Sequence, residues 1–280
     1  MRISWVLSNT SVVGEEGGFT SPLASYRYRA LNPVRELRTR GHVCQLHVLS
    51  DGGGTSNHAA LHESDVIVFA KNHSEPYDVI ALLDYARERE IATIVDICDD
   101  YLAPGDKFQP YYMALVNKAK LVTASSPRLA SIARQVTDAN VCVVADAYEA
   151  PMGSIRFAPE GASLKVLWFG TPFNLASLIS ELEDLPRRIE SYQVNLVVLT
   201  REPQGLVKAF EMMNAQNGDK FRLTFKEWSL EQNWMELEKC DLVAITVDTQ
   251  KTVFYGKRRE STDRNAARRP PSGGAAAPCI

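Results

Sequence analysis

Three groups of residues in the 280-residue chain have chemistry to offer. Asp96, Asp99 and Asp100 crowd one short stretch, with Tyr101 beside them. Adjacent carboxylates supply a general base or bind sugar hydroxyls; they also cap helices. Ligand use is favoured over capping for Asp99, whereas Asp96 falls within a strand. The second group is Ser25-Tyr26-Arg27-Tyr28-Arg29. Ser25 and Arg29 are four apart and share a helical face, while Arg27 points elsewhere. Arginines near a helix N-terminus oppose its macrodipole. A phosphate held by amides and guanidinium together relieves that cost. A solvated helix face is the competing reading, and the two stand even. The third group lies in Leu164 to Asn174, LKVLWFGTPFN, where an apolar run stops at Gly170 and helical spacing begins near Asn174.

These groups need strands and helices to present them. An apolar strand entering a helix through a glycine turn is the grammar of a buried parallel strand. The chain opens the same way, with Ile3 to Ser8, glycines at 14, 17 and 18, and a helix over Ala24 to Arg40 in which Pro33 marks a kink or the first turn. The loop Ser11 to Pro22 is long for its place, as lids and binding loops are. Strands are expected over Val43–Leu49, Asp65–Ala70, Ile91–Ile97, Lys120–Ala124 and Val141–Ala145, with helices over Pro76–Glu90, Lys107–Ala119 and Pro127–Val136 between them. A second series follows: strands Leu164–Phe169, Val194–Thr200, Arg222–Phe225 and Leu242–Val247, helices Leu175–Ile189, Gln204–Ala215 and Leu230–Lys239. Alternation throughout is the signature of doubly wound parallel sheets. The fold class is therefore α/β, with two Rossmann-like doubly wound domains. Residues 1–150 form the first and 164–250 the second, 151–163 is a Pro/Gly linker, and 251–280 is a basic tail.

Ligands of open parallel sheets bind outside the carboxyl ends of the strands. That rule selects the glycine loop and the helix behind it, Lys71-Asn72-His73, Asp99-Asp100-Tyr101 and Ser125-Ser126 from the first series. From the second it selects Gly170-Thr171, Thr200-Arg201-Glu202 and Asp248. The five histidines are scattered, and only His73 falls at such an edge. No GxSxG, Walker A, HExxH or post-strand GxGxxG is present. Trp228 and Trp234 read as packing at the edge of the second sheet.

A net charge of −3 gives no general argument for nucleic acid or an anionic membrane. The five cysteines have no CxxC pair and no close His grouping, and four sit in or beside predicted strands as small hydrophobes do. Neither a disulfide framework nor a zinc site is expected, and a reducing compartment fits. With no signal-like start and no apolar run that spans a bilayer, the expected location is cytoplasmic, with membrane association on the cytoplasmic face left open.

The stretches SYRYRALNPVRELRTRGHVCQLHVL, DVIVFAKN, IVDICDDYL, LVTASSPRLASIAR, VLWFGTPFNL and CDLVAITVD, in this order and spacing, resemble the GT-B glycosyltransferases. In particular they resemble the large retaining set, group 1 and family 4-like. The resemblance covers residues 1 to about 250 and implies a GT-B arrangement of the two domains. It implies a nucleotide-sugar donor held mainly by the second domain and an acceptor held mainly by the first. It also implies no obligatory metal, and no cofactor beyond the nucleotide-sugar co-substrate. On this footing Gly170, Thr171, Asn174, Arg201, Asp248 and Lys251 are the donor-binding residues, with Arg201 and Lys251 as the cations. Ser25, Arg27, Arg29, Lys71, Asp100 and Tyr101 line the acceptor side, and Asp99 is the catalytic candidate. The implied acceptor is a cell-surface polysaccharide, lipid-linked glycan or small molecule. Two rivals stand beside transfer: a non-catalytic two-lobed small-ligand binding protein, and a nucleotide-sugar epimerase of the same fold.

Two departures bear on activity. The segment GTPFNLASLISELEDL carries no Arg or Lys where family members hold the donor diphosphate, and no Glu-rich donor motif follows Asp248. Beyond Gly256 the apolar periodicity vanishes, and seven basic residues stand against Glu260 and Asp263 in 251–280. Such a tail buries too little apolar surface to order itself. The expectation is a second domain lacking its last native segment, through truncation or a shifted reading frame. Catalytic power would then be low or absent, and a sheet edge would be left open to dimerisation.

Overall fold

The computed structural model describes residues 1–8, 13–15, 18–49, 61–70, 76–149, 162–182, 192–203 and 205–246. Lys71, His73, Asp248, Lys251, most of the 151–163 stretch and all of 251–280 lie outside these residues. The chain divides into two compact units, with a boundary between Glu149 and Ala150.

Unit one is built on β1 (Arg2–Ser8), β4 (Val43–Leu49), β5 (Val66–Ala70), β6 (Ala92–Ile97), β7 (Leu121–Ala124) and β8 (Asn140–Val143). All pair in parallel, in the order β4-β1-β5-β6-β7-β8. The order reverses direction between β1 and β5, which makes that gap the topological switch point. The glycine-rich stretch expected as a plain loop contains an antiparallel pair, β2 (Val13–Glu15) with β3 (Gly18–Thr20).

The period-2 alternation of the strands packs both faces of this sheet. Ile3, Trp5 and Leu7 go to one face with Tyr26, Ala30 and Val34. Val6, Ile67, Phe69, Val95 and Val122 go to the other. There they meet Leu82 and Leu83 of α3 (Pro76–Glu88), Tyr112 and Leu115 of α4 (Gln109–Lys118), and Leu129 and Ala130 of α5 (Pro127–Ala133). Ser126 caps α5 by accepting from the Leu129 amide, with Pro127 at the first turn.

The helix expected over 24–40 is not uniform. It begins as α1 (Ala24–Tyr26), widens into a π-helical segment (Arg27–Leu31), and resumes as α2 (Asn32–Thr39). The Asn32 amide reaches five residues back to the Arg27 carbonyl. Pro33 has no N–H to give the Arg29 carbonyl, so the ordinary four-residue ladder lacks a rung there. Arg40-Gly41-His42 ends the helix, with Gly41 at φ +82° as its left-handed stop.

Unit two is smaller. Its strands β9 (Ser163–Phe169), β10 (Gln193–Thr200), β11 (Phe221–Glu227) and β12 (Leu242–Val243) pair in parallel in the order β11-β10-β9-β12. The first element beside β12 is β9, so the switch point of this unit lies between them. One face of the sheet packs Val166, Trp168, Leu196 and Val198 against Leu175 and Leu178 of α6 (Leu175–Leu182) and Phe210 of α7 (Leu206–Asn217). The other sets Leu167, Val197 and Leu199 against Trp228 and Leu237, the latter on α8 (Leu230–Lys239).

Cys44, Cys98 and Cys240 are not in disulfides, whereas Cys142 is disulfide-bonded. This differs from the expectation of small buried thiols and removes Cys142 from the argument for a reducing compartment. Among the described residues, no helix is long and apolar enough to cross a membrane.

Candidate functional site

In unit one the carboxyl ends of β6 and β7 carry the acidic cluster. Asp96 lies inside β6, and its carboxylate is buried beneath Arg29. The Arg29 guanidinium donates to both Asp96 oxygens in a fork-to-fork pair, and Thr123 donates its hydroxyl to Oδ1 at 2.6 Å. Burial opposes the charge on Arg29. The hydrogen bond and charge of Asp96, with a contribution from Asp146, outweigh it and hold the guanidinium pKa above its ordinary value. Arg29 also donates to the Val144 carbonyl, just past β8.

Arg27 donates from Nε to Glu149 at 2.8 Å, and its Nη1 reaches the carbonyls of Ser21 and Pro22. The two arginines, assigned to different faces by their spacing, therefore both engage the segment leaving β8. An extended chain advances about 3.3 Å per residue, so residues 144–149 run far enough to pass both. The anions facing the two guanidiniums here are protein carboxylates, Asp96 and Asp146 at Arg29 and Glu149 at Arg27.

Asp99 and Tyr101 come together: the phenol donates to Asp99 Oδ2 at 2.9 Å, on the exposed side of the strand end. Asp106 Oδ1 takes the Phe108 amide at 2.7 Å in a turn just ahead of α4, whose N-cap, Phe108, has no side-chain cap. Tyr101 stacks on Tyr112 with centroids 4.5 Å apart and meets Phe108 edge-on at 5.6 Å. Asp100 is half-buried beside this cluster, and Ser25 is half-buried at the start of the arginine-bearing helix. A depression of 650 Å³ in unit one, lined by Arg87, Thr93, Asn117, Lys118 and Lys120 among others, lies at the opposite end of the sheet. Arg87 and Lys118 close α3 and α4, where cations complement the negative helix ends. This accounts for their placement without a ligand.

In unit two, Gly170, Thr171 and Asn174 form the turn from β9 into α6, with a 3-10 segment over Pro172–Asn174. Gly170 continues the β9–β10 ladder through its amide to the Leu199 carbonyl at 3.3 Å. A Cβ at position 170 would stand 3.0 Å from Trp168 Cη2 and 3.1 Å from Cζ2, so any larger residue needs the indole to give by a few tenths of an ångström. Arg201 follows the end of β10, the next strand, and is exposed. The end of β12 reaches the same turn. Val243 pairs with Leu167, which carries Thr246 to the level of Gly170. There the Trp168 indole donates to Thr246 Oγ1 at 3.0 Å, and Thr246 Oγ1 lies 2.9 Å from Ser177 Oγ. Among the described residues, no group of three or more His, Cys, Asp or Glu is placed to hold a metal ion.

Glu149, Asp146 and Thr123 in unit one, and Trp168, Ser177 and Thr246 in unit two, were not singled out by sequence. Trp168 was visible only as part of an apolar run. Its polar N–H was the available signal, because a buried indole finds an acceptor.

No protein-family model matches the chain, and no curated protein matches it. Solved structures do. The chain is similar to the lipopolysaccharide outer core galactosyltransferase WaaB in its apo form, at 9% identity over 87% of this chain and 72% of that one, with a TM-score of 0.51. It is also similar to Acinetobacter baumannii MurG, at 14% identity over 87% of this chain and 71% of that one, with a TM-score of 0.48. A third is a UDP-GlcNAc 2-epimerase from Neisseria meningitidis bound to UDP-GlcNAc, at 8% identity over 87% and 77%, with a TM-score of 0.48. The likeness to the galactosyltransferase shows the fold: the chain has the GT-B glycosyltransferase fold, built of two Rossmann-like α/β units.

Proposed function

We propose that the protein transfers a sugar from a nucleotide-activated donor to a cell-surface polysaccharide, lipid-linked glycan or small-molecule acceptor. The observation that carries this reading is the galactosyltransferase likeness, which extends over 87% of the chain, both units included. The polar turn at the switch point of unit two supports it, since that is where open α/β sheets take their ligands. The donor diphosphate lies against Gly170, Thr171 and Asn174, with Arg201 and Lys251 as cations and Asp248 as a further donor-binding residue. Amides and cations there stabilise the charge that develops on the leaving diphosphate.

On the acceptor side, Asp99 takes the hydroxyl proton, with Tyr101 holding its carboxylate and Asp100, Ser25 and Lys71 lining the approach. Arg27 and Arg29 serve that side while engaged with Glu149 and Asp96. The nucleotide sugar is a co-substrate, and the reading invokes no resident cofactor. It goes with a cytoplasmic location, with contact at the inner membrane surface when the acceptor is lipid-linked. A second copy of the chain is the partner proposed for the β12 edge.

Calorimetry against a panel of nucleoside diphosphates, followed by transfer assays with the matching labelled nucleotide sugars, tests the reading. Nucleotide binding with transfer establishes it. Binding of free sugars without any nucleotide overturns it in favour of a two-lobed binding protein. Inversion of the nucleotide sugar without an acceptor points to an epimerase.

A further inference from the structure

The β9–α6 turn of unit two is held from beneath by side chains that the nucleotide reading does not use. Trp168 is 2% exposed, so its indole N–H needs an acceptor inside the fold. It finds Thr246 Oγ1 at 3.0 Å. An indole only donates, so Thr246 Oγ1 is the acceptor of this bond. Thr246 Oγ1 lies 2.9 Å from Ser177 Oγ, a contact in which either hydroxyl can donate. Ser177 Oγ reaches the Asn174 carbonyl at 2.7 Å and the Thr246 carbonyl at 3.4 Å; donation to Asn174, the shorter contact, leaves Thr246 to donate to Ser177. Each hydroxyl accepts once and donates once, and the chain ends on the backbone of the turn itself. It joins the end of β12 and the end of β9 to the start of α6 across the switch point.

We propose that Thr246 is a positioning residue: it sets the conformation of the Gly170–Asn174 turn by relaying the fixed donor of Trp168 through Ser177 to the Asn174 carbonyl. The role assigned to the turn in holding a diphosphate rests on the nucleotide-sugar reading above. The relay itself is a property of the free protein. Gly170 lies over the same indole, which would stand 3.0 Å from a Cβ at that position, so the ring packs directly beneath the turn. Thr246, three residues past the two that pair as β12 among the described residues, is therefore the point at which this segment reaches the ligand turn.

Hydrogen exchange of the ligand-free full-length protein tests the relay. Thr246→Val keeps the shape and removes the hydroxyl. Ser177→Ala breaks the chain at its far end, at a half-buried position where alanine suits the helix. Each is expected to raise exchange of the amides in residues 170–177 about five- to tenfold, the value of a net hydrogen bond or slightly more, with β10 unchanged and Thr246→Ser restoring protection. Unchanged exchange at 170–177 overturns the proposal. So does an equal rise in β10, because that marks general loosening of the unit. The affinities of the same variants for UDP, GDP and ADP, set against the corresponding nucleosides, form the second arm. A loss confined to the diphosphates supports the positioning role, and an equal loss for nucleosides speaks against it. If the wild type binds none of the three nucleotides, the diphosphate role of the turn falls with the nucleotide reading, and the exchange arm alone decides the relay.

Discussion

Arg29 has 3% of its side chain exposed and Asp96 has 5%, so neither charge has water to fall back on. Removing one partner of such a pair leaves the other uncompensated, which costs about 3–5 kcal/mol. Asp96→Asn and Arg29→Met are each expected to lose that much in chemical denaturation. Arg29→Lys is expected to recover only part, because a single ammonium cannot serve both Asp96 oxygens and the Val144 carbonyl at once. Glu236 is a buried charge of unit two. Fully enclosed, it receives Lys226 at 2.6 Å and Lys165 at 3.2 Å. Burial pushes its pKa up, but the hydrogen bonds and charges of the two lysines push it down further, and the net direction is below the ordinary value. A carboxylate with a depressed folded pKa adds stability above its unfolded pKa, near 4.5, and loses it as the pH falls through the folded value. Glu236→Gln should therefore lower stability at pH 7 by about 2 kcal/mol, and the gap to wild type should close on acidification below pH 4.5. Denaturation midpoints measured from pH 7 to pH 3 check both halves.

At the scale of elements, the turn between β9 and α6 is constrained by what lies under it. Gly170→Ala must displace the Trp168 ring from a well-packed position, and overpacking of this kind costs about 1–3 kcal/mol. The expected outcome is a lower thermal midpoint together with a change in tryptophan emission; an unchanged midpoint and spectrum would show that the ring yields freely. The π-helical segment works differently. Its register is set by Pro33 just beyond it, and it brings Arg27 and Arg29 against residues 144–149, the last stretch of unit one. π-segments recur at functional sites, and this one lies beside the acceptor-side residues of the proposed reaction.

At the scale of the whole molecule, β12 pairs only with β9 among the described residues, and Leu242, Val243 and Ile245 are exposed along it. Phe173, on the ligand turn of the same unit, is exposed as well. Open strand edges flanked by apolar side chains pair with other chains. Sedimentation velocity should show concentration-dependent association of the full-length protein, reduced by Leu242→Lys with Val243→Lys. A monomer at all concentrations would remove the second copy from the list of partners.

The sequence by itself determined the α/β class and most of the strands, because alternation of apolar runs with helical periodicity is a local property. β1, β4, β5, β6, β9 and β10 fall within a residue or two of their expected bounds, and Asp96 was placed in a strand from its neighbours alone. The GT-B fold was legible too, through the order and spacing of short motifs. What the tertiary structure decided is which groups meet. Arg29 and Asp96 are 67 residues apart, Arg27 and Glu149 are 122 apart, and Trp168 and Thr246 are 78 apart. No periodicity links such positions. Their pairing follows from strand order in the two sheets, which is set by the packing of both faces at once. The arginines suggested an unfilled anion need in the sequence, and the fold meets it with carboxylates of its own.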